Sequence, residues 1–209
     1  MPEFQEKDEA AILDFIRKHP LGMLAAVAET GAIAATHVPF LSYSEGSELR
    51  LRGHVMRSTT HWRALKSAAE VFIAFTGPDA PILASWMGDL SYGGTWNYMA
   101  VHLRGKLTFL PESDLVEILR ELKDGYEEMP EAKFDLLPPD YVPSLIRAIE
   151  GFEIEVTSVE AVFKLSQNRN LADFNRIVDS LQERGGESAL VAEEMLERKE
   201  RFFPEPVGS

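Results

Sequence analysis

"GGTWNYMAVHLRGK" occupies residues 93–106, and its alternation decides the fold. Asn97, Met99, Val101 and Leu103 fall on one side of an extended chain, and Trp96, Tyr98, His102 and Arg104 on the other. A period of two belongs to a β-strand, whereas a helix would repeat every 3.6 residues. The first side is mostly apolar and suits a barrel interior. The second can stack and donate hydrogen bonds, which suits either a protein interface or a planar anionic ligand.

The neighbouring segments extend the β reading. "GMLAAVAETGAIAATHVPFL" (22–41) is two apolar runs around Thr30-Gly31, the pattern of a hairpin. "LRLRGHVM" (49–56) alternates as a strand, and "VFIAFTG" and "APILASW" read as two strands flanking Gly77-Pro78. "MGDLSYGG" (87–94) reads as a loop. Past residue 110 one strand returns, in "GFEIEVTSVEAVFKL" (151–165). Helical spacing is predicted for 7–19, 57–70, 112–128, 144–150, 170–184 and 187–200, with Ser58, Thr59 or Thr60 as the second helix's N-cap and a loose tail from Phe202. This order predicts a mainly β, α+β fold: an antiparallel split β-barrel decorated by C-terminal helices. The expected organisation is an N-terminal helix and barrel core over 1–110. An acidic helical region over 111–209, with the returning strand, completes a single structural unit.

Composition narrows function. The 209 residues carry a net charge of −13. Residues 1–110 are nearly balanced, with 10 Lys+Arg against 11 Asp+Glu, while residues 111–209 hold 11 against 23. All histidines and tryptophans lie in the N-terminal half, so the chemistry is expected there. An acidic chain is a poor generic partner for nucleic acid, whose phosphates are bound by neutralisation; direct contact would need a local basic surface such as Arg50, Arg52, Arg57 and Arg63. Without cysteine there are no disulfides and no thiolate metal sites. No apolar run is long enough to span a bilayer, and the acidic start lacks the order of a signal peptide. A cytoplasmic location is expected. Neither G-x-G-x-x-G nor a Walker A motif is present, which argues against a Rossmann or P-loop nucleotide site.

Three clusters are candidates for binding. "RGHVMRSTTHWR" (52–63) offers His54, Arg57, Ser58, Thr59, His61 and Trp62 at a strand-to-helix junction, where hydroxyls, Arg and exposed N–H groups suit a phosphate. The same hydroxyls would serve equally as an N-cap. Trp96 and Asn97 begin the opening strand. "FKLSQNRN" (163–170) adds Lys164 and Gln167 before a helix that Asn168 or Asn170 could cap. No histidine pair has the helical i, i+4 spacing of zinc hydrolases, so no metal is expected.

These segments also carry a resemblance. "THVPFL", "LRGHVMRSTTHWRAL", "VFIAFTGPDAPILASWM", "TWNYMAVHLRGK", "GFEIEV" and "FKLSQNRN" occur in the order seen in the PaiB-type family of FMN-binding negative transcriptional regulators, linked to protease production and sporulation. It spans about residues 1–197; the loop "SWMGDLSYGGTWNY" departs from it. The resemblance implies a split barrel similar to pyridoxamine 5′-phosphate oxidase and the flavin reductases, a homodimer, and FMN in a groove at the dimer interface. It implies the flavin phosphate at Arg57-Ser58-Thr59, the isoalloxazine edge near Thr36, His37 and Val38, and Trp96 and Asn97 on a neighbouring wall. His102 and Arg104 fall to the dimer interface. Besides a flavin-responsive regulator, two readings stay open. One is a flavin-dependent oxidoreductase with His37, His54 or His61 as proton donor. The other is a binder of a different planar anion such as haem.

Overall fold

The computed structural model describes residues 2–46, 48–91 and 93–204. In chain order its elements are β1 (Gln5–Glu6), α1 (Glu9–Lys18), β2 (Leu21–Val27), β3 (Ile33–Pro39), β4 (Leu41–Glu45), β5 (Glu48–Met56), α2 (Thr60–Ser67), β6 (Val71–Ile82), β7 (Thr95–Phe109), α3 (Glu112–Tyr126), α4 (Tyr141–Ala148), β8 (Ile149–Lys164), α5 (Leu171–Arg184), α6 (Glu187–Glu197) and α7 (Lys199–Phe202). The strands form one sheet in the order β3-β2-β6-β7-β8-β5-β4, and β1 adds to β8. Each register described is antiparallel. Tertiary contacts divide the chain into two compact units: Leu13–Phe75 with His102–Val159, and Met1–Ile12 with Thr76–Val101 and Glu160–Ser209.

The unit containing residues 13–75 and 102–159 holds an aromatic core. The Phe40 ring meets Phe75 and Phe152 edge-on, at centroid distances of 5.4 and 6.0 Å, a favoured aromatic geometry. Gly53 makes room for it. A Cβ there would sit 2.9 Å from Phe152 Cζ and 3.0 Å from Val38 Cγ1. Glycine on β5 therefore lets β3 approach, although the two strands are far apart in sheet order, and the sheet curls toward a barrel. A second layer covers the outside. Leu115, Leu119, Phe134 and Ile149 pack together, joined by Val142, Leu145 and Ile146 of α4.

In the other unit α5 and α6 form a helical hairpin across Gly185 and Gly186, whose φ angles are +70° and +58°, values glycine adopts freely. Phe174, Ile177 and Leu181 of α5 are buried, as are Val191, Ala192 and Met195 of α6. The tail does not begin loose at Phe202. Phe202 and Phe203 lay their rings edge-on against Phe174 at 6.2 and 5.0 Å. Residues 205–209 of that tail, and Tyr92 in the expected loop, lie outside the described residues.

The predicted break at Gly77-Pro78 is absent, because β6 runs unbroken through it. The buried positions shift there by one residue, from Val71, Ile73 and Phe75 to Pro78, Ala80 and Ile82. Gly-Pro signals a turn only where the backbone folds back; here the chain stays extended and the strand exchanges its faces. The segment expected as a second strand ends early, as "ASW" makes a 3-10 turn at Ala84–Trp86. The alternation of Thr95–Phe109 holds as predicted, with Asn97, Met99, Val101 and Leu103 buried and Trp96, Tyr98, His102 and Arg104 exposed.

Gly105 continues the buried face of β7, and a Cβ there would fall 2.5 Å from the Glu155 carbonyl oxygen. Gly105→Ala is expected to destabilise the protein by about 1–3 kcal/mol, the usual cost of overpacking. Gly125→Ala, which meets nothing within 4 Å in α3, is expected to stabilise it by about 0.5–1 kcal/mol. Denaturant midpoints of the two variants measure both.

Candidate functional site

The junction from β5 to α2 is built by one strained residue and one hydroxyl. Ser58 is held at φ +65°, a left-handed conformation uncommon outside glycine. The turn that follows starts α2, and Thr59 is its N-cap. Thr59 Oγ1 donates to the Met56 carbonyl at 2.9 Å and accepts from the Trp62 N–H at 3.3 Å. His61 Nε2 lies 3.0 Å from the same oxygen. A hydroxyl has one proton to give, so His61 Nε2 is the donor in that contact. The Thr59 hydroxyl is thereby saturated. The N–H groups of Thr60 and His61 belong to a helix's first turn, which has no carbonyl partners of its own.

Two expected ligand groups are drawn together by a carboxylate the sequence reading did not single out. Glu150 opens β8 with its side chain largely enclosed. It accepts from Trp62 Nε1 at 2.5 Å, pairs with Arg57 Nη1 at 3.2 Å, and has Lys66 Nζ 3.8 Å away. Arg57 Nε also donates to the Ile149 carbonyl at 2.8 Å. Lys66 lies 4.3 Å over the Trp62 ring, a cation–π contact. Glu150 thus ties α2 and the end of β5 to the start of β8.

On its other side α2 borders a cleft of about 750 Å³, whose far wall is the β2–β3 hairpin. That volume is within the usual range of small-molecule sites. Ala28, Ala32, Ala34 and Ala35 give much of the hairpin wall a low relief, Glu29, Thr30 and Ile33 complete that wall, and Thr60, Arg63, Lys66 and Ser67 face it from the helix. The Arg63 side chain makes one described hydrogen bond, from Nη2 to the Ser58 carbonyl at 3.1 Å. Thr36 and Val38 point to the core side of β3, with Val38 buried, while His37 points outward and is exposed. His54 is largely enclosed beside Gly151 on β8, and its Nδ1 is buried without a partner. Burial holds its pKa below the ordinary histidine value.

The remaining candidates sit in the other unit. Trp96 is exposed and donates to Asp79 at 2.7 Å. Asn97, on the reverse of the strand, is fully buried; its Oδ1 accepts from Ser166 Oγ at 3.1 Å and its Nδ2 lies 3.5 Å from Met195 Sδ. Lys164 donates to Thr95 Oγ1 at 2.6 Å. Gln167 bonds the Phe163 carbonyl and the Leu165 N–H, both at 2.7 Å. Asn170 caps α5, as one of the two expected alternatives.

The local basic surface considered for nucleic acid is largely neutralised. Glu153 takes Arg50 at 3.0 Å and Arg52 at 2.7 Å. Burial raises the Glu153 pKa, but the hydrogen bonds of Arg52 and Arg50 outweigh it and hold the carboxyl below its ordinary value. With Arg57 on Glu150, of the four arginines only Arg63 has no carboxylate among the described ion pairs.

A family model described as "Putative FMN-binding domain" matches residues 1–158. "Protease synthase and sporulation protein PAI 2" of Bacillus subtilis (strain 168) is 31% identical over 198 residues, which is 94% of this chain and 95% of the relative. Among solved structures, the flavocytochrome Anf3 from Azotobacter vinelandii gives a TM-score of 0.61 at 18% identity, over 83% of this chain and 75% of its own. The FAD and heme binding protein from Mycobacterium smegmatis gives 0.57 at 16% identity, over 77% and 73%. At such identities the structural likeness speaks for the fold, the antiparallel split barrel expected from the sequence. No helix among the described residues is long and apolar enough to cross a membrane.

The enclosed His54 makes stability depend on pH. Its pKa is lower in the folded chain than in the unfolded one, so the unfolded state takes up the proton first. This contribution is complete above about pH 6.5, the ordinary histidine value, and is lost as the pH falls toward the folded pKa. Denaturation between pH 7.5 and pH 5.5 is expected to show a falling midpoint, and His54→Gln to flatten that fall. Glu6, Glu153 and Asp173, whose pKa values are lowered, lose their contributions only at more acidic pH, below about 4.5.

Proposed function

The chain belongs to the PaiB-type, FMN-binding family, and from that premise we propose that it is a flavin-responsive regulator whose FMN lies in the cleft between α2 and β3. One observation supports this reading: a low alanine wall opposite the start of α2, where Thr60 and Arg63 line the cleft. When bound, FMN supplies a planar, redox-active ring and a phosphate. The ring suits the alanine surface of the hairpin. The phosphate suits the start of α2 after the turn at Ser58, with Thr60 and Arg63 lining the cleft. A left-handed residue ahead of a helix start is a backbone form that gathers N–H groups toward an anion, and such strain is concentrated at ligand clamps. Arg57, Thr59 and Trp62 serve the same site by fixing the turn, since their polar groups are already engaged within the protein.

A second copy of the chain suits the outer face of the hairpin. Leu21 and Val27 of β2 expose 61% and 57% of their surface, and large exposed apolar side chains suit an interface. Nearby in the same unit His102 stacks at 5.3 Å on Phe72, and Arg104 lies over that ring at 5.8 Å. The regulatory output is proposed to run through a protein partner rather than direct DNA reading, because Glu153 and Glu150 already occupy Arg50, Arg52 and Arg57.

Titration with FMN and with riboflavin tests the site. Arg63→Ala is expected to weaken FMN by about 1.5–3 kcal/mol, the range for hydrogen bonds to charged groups, and to leave riboflavin, which has no phosphate, nearly unchanged. Equal FMN affinity in wild type and variant would remove the phosphate from this cleft. For the output, an electrophoretic mobility assay at physiological salt is expected to give no sequence-specific shift. A specific shift there would establish direct DNA reading.

A further inference from the structure

The strongest feature that the flavin site does not use is the lobe between α3 and β8. Residues 111–141 hold ten Asp+Glu against three Lys+Arg, more than half of the net charge of the whole chain. The three cations are spent inside the lobe. Arg120 pairs with Asp135 and lies 4.7 Å over the Phe134 ring. Lys123 pairs with Glu127, and Lys133 donates to the Asp124 and Glu127 carbonyls. The Asp124 carboxylate accepts the Phe134 N–H at 2.7 Å. These bonds stitch the end of α3 to the segment 133–136, above a core of Leu115, Leu119 and Phe134.

The large apolar side chains of the lobe divide between its core and solvent. Phe134, Leu137, Val142 and Leu145 turn inward. Tyr126, Met129, Leu136 and Tyr141 turn outward, exposed by 61%, 54%, 64% and 49%. Large apolar side chains exposed in a tethered segment are a contact surface rather than a failed core. Their surroundings select the occupant. Glu128, Glu131 and Asp140 are exposed beside them and make none of the described ion pairs. Nucleic acid and anionic membrane are repelled by such a surface, and so is the same lobe on a second copy. A chain segment with lysines or arginines among apolar side chains satisfies both the charge and the exposed anchors.

We infer that the outward face of residues 126–141 is a docking surface for a basic, amphipathic segment of a partner protein. It lies apart from the proposed flavin cleft and stands or falls independently of it. The test uses the full-length chain, isotopically labelled, titrated with a synthetic lysine–leucine amphipathic peptide and followed by NMR. Shifts are expected at Tyr126, Met129, Leu136 and Tyr141, with an affinity that falls as salt is added. A peptide of lysine alone is expected to bind at least tenfold more weakly at physiological salt. The exposed double change Met129→Ser, Leu136→Ser is expected to lose about tenfold, and Glu128→Lys with Asp140→Lys a similar amount, with circular dichroism and FMN binding unchanged. Shifts located elsewhere, or equal binding of both peptides, would overturn the inference. So would unchanged affinity in the serine variant, or a dimer that dissociates when the same residues become serine.

Discussion

The absent side chain at Gly53 is the constraint on which the barrel depends. Phe152 and Val38 both occupy the space where a Cβ would stand. That contact brings the edge strand β3 to β5 and leaves Phe40 between Phe75 and Phe152. The same approach sets the hairpin wall opposite the helix that follows β5, so the cleft is a by-product of closing the sheet. A methyl group at residue 53 would push β3 outward, and core and cleft would open together. Interiors this densely packed transmit such displacements instead of absorbing them.

Charge is organised with the same economy. Glu150 and Glu153 stand three residues apart on one strand and between them engage Arg50, Arg52, Arg57, Trp62 and Lys66. Partly enclosed pairs of this kind cost desolvation and return it through geometry; here the return is position, since they lock α2 against β8. The consequence for function is that cations that look available in the sequence are internal fasteners. Arg63, six residues beyond Arg57 and on the far side of the left-handed Ser58, lines the cleft instead.

What could be read from the sequence follows from range. The faces of Thr95–Phe109, the hairpin around Gly31 and the caps at Thr59 and Asn170 are set by neighbours a few residues away, and each stands as expected. Gly77-Pro78 was misleading because a local turn signal was overridden by strand pairing on both sides of it. The tail was misleading for a different reason: "RFFPE" is unremarkable in composition, and only Phe174, far away in sequence, gives its rings a place. The site was legible as a region and not as a set of ligands. Nothing near Arg57 in the chain announces Glu150, and an arginine that fastens a turn has the same letter as one that holds a phosphate.

The alternation of β7 shows how far such a local rule extends. It separates Trp96 from Asn97 without knowing what either faces, since adjacent residues of a strand always point apart. Any role given to both as one wall therefore conflicts with the strand that carries them. Asn97 resolves the conflict inward, where Ser166, itself held at φ +62°, offers its hydroxyl proton. A buried amide must be satisfied within the protein, so its hydrogen bonds serve the stability of that unit, while Trp96 stays on the exposed face with its indole N–H on Asp79.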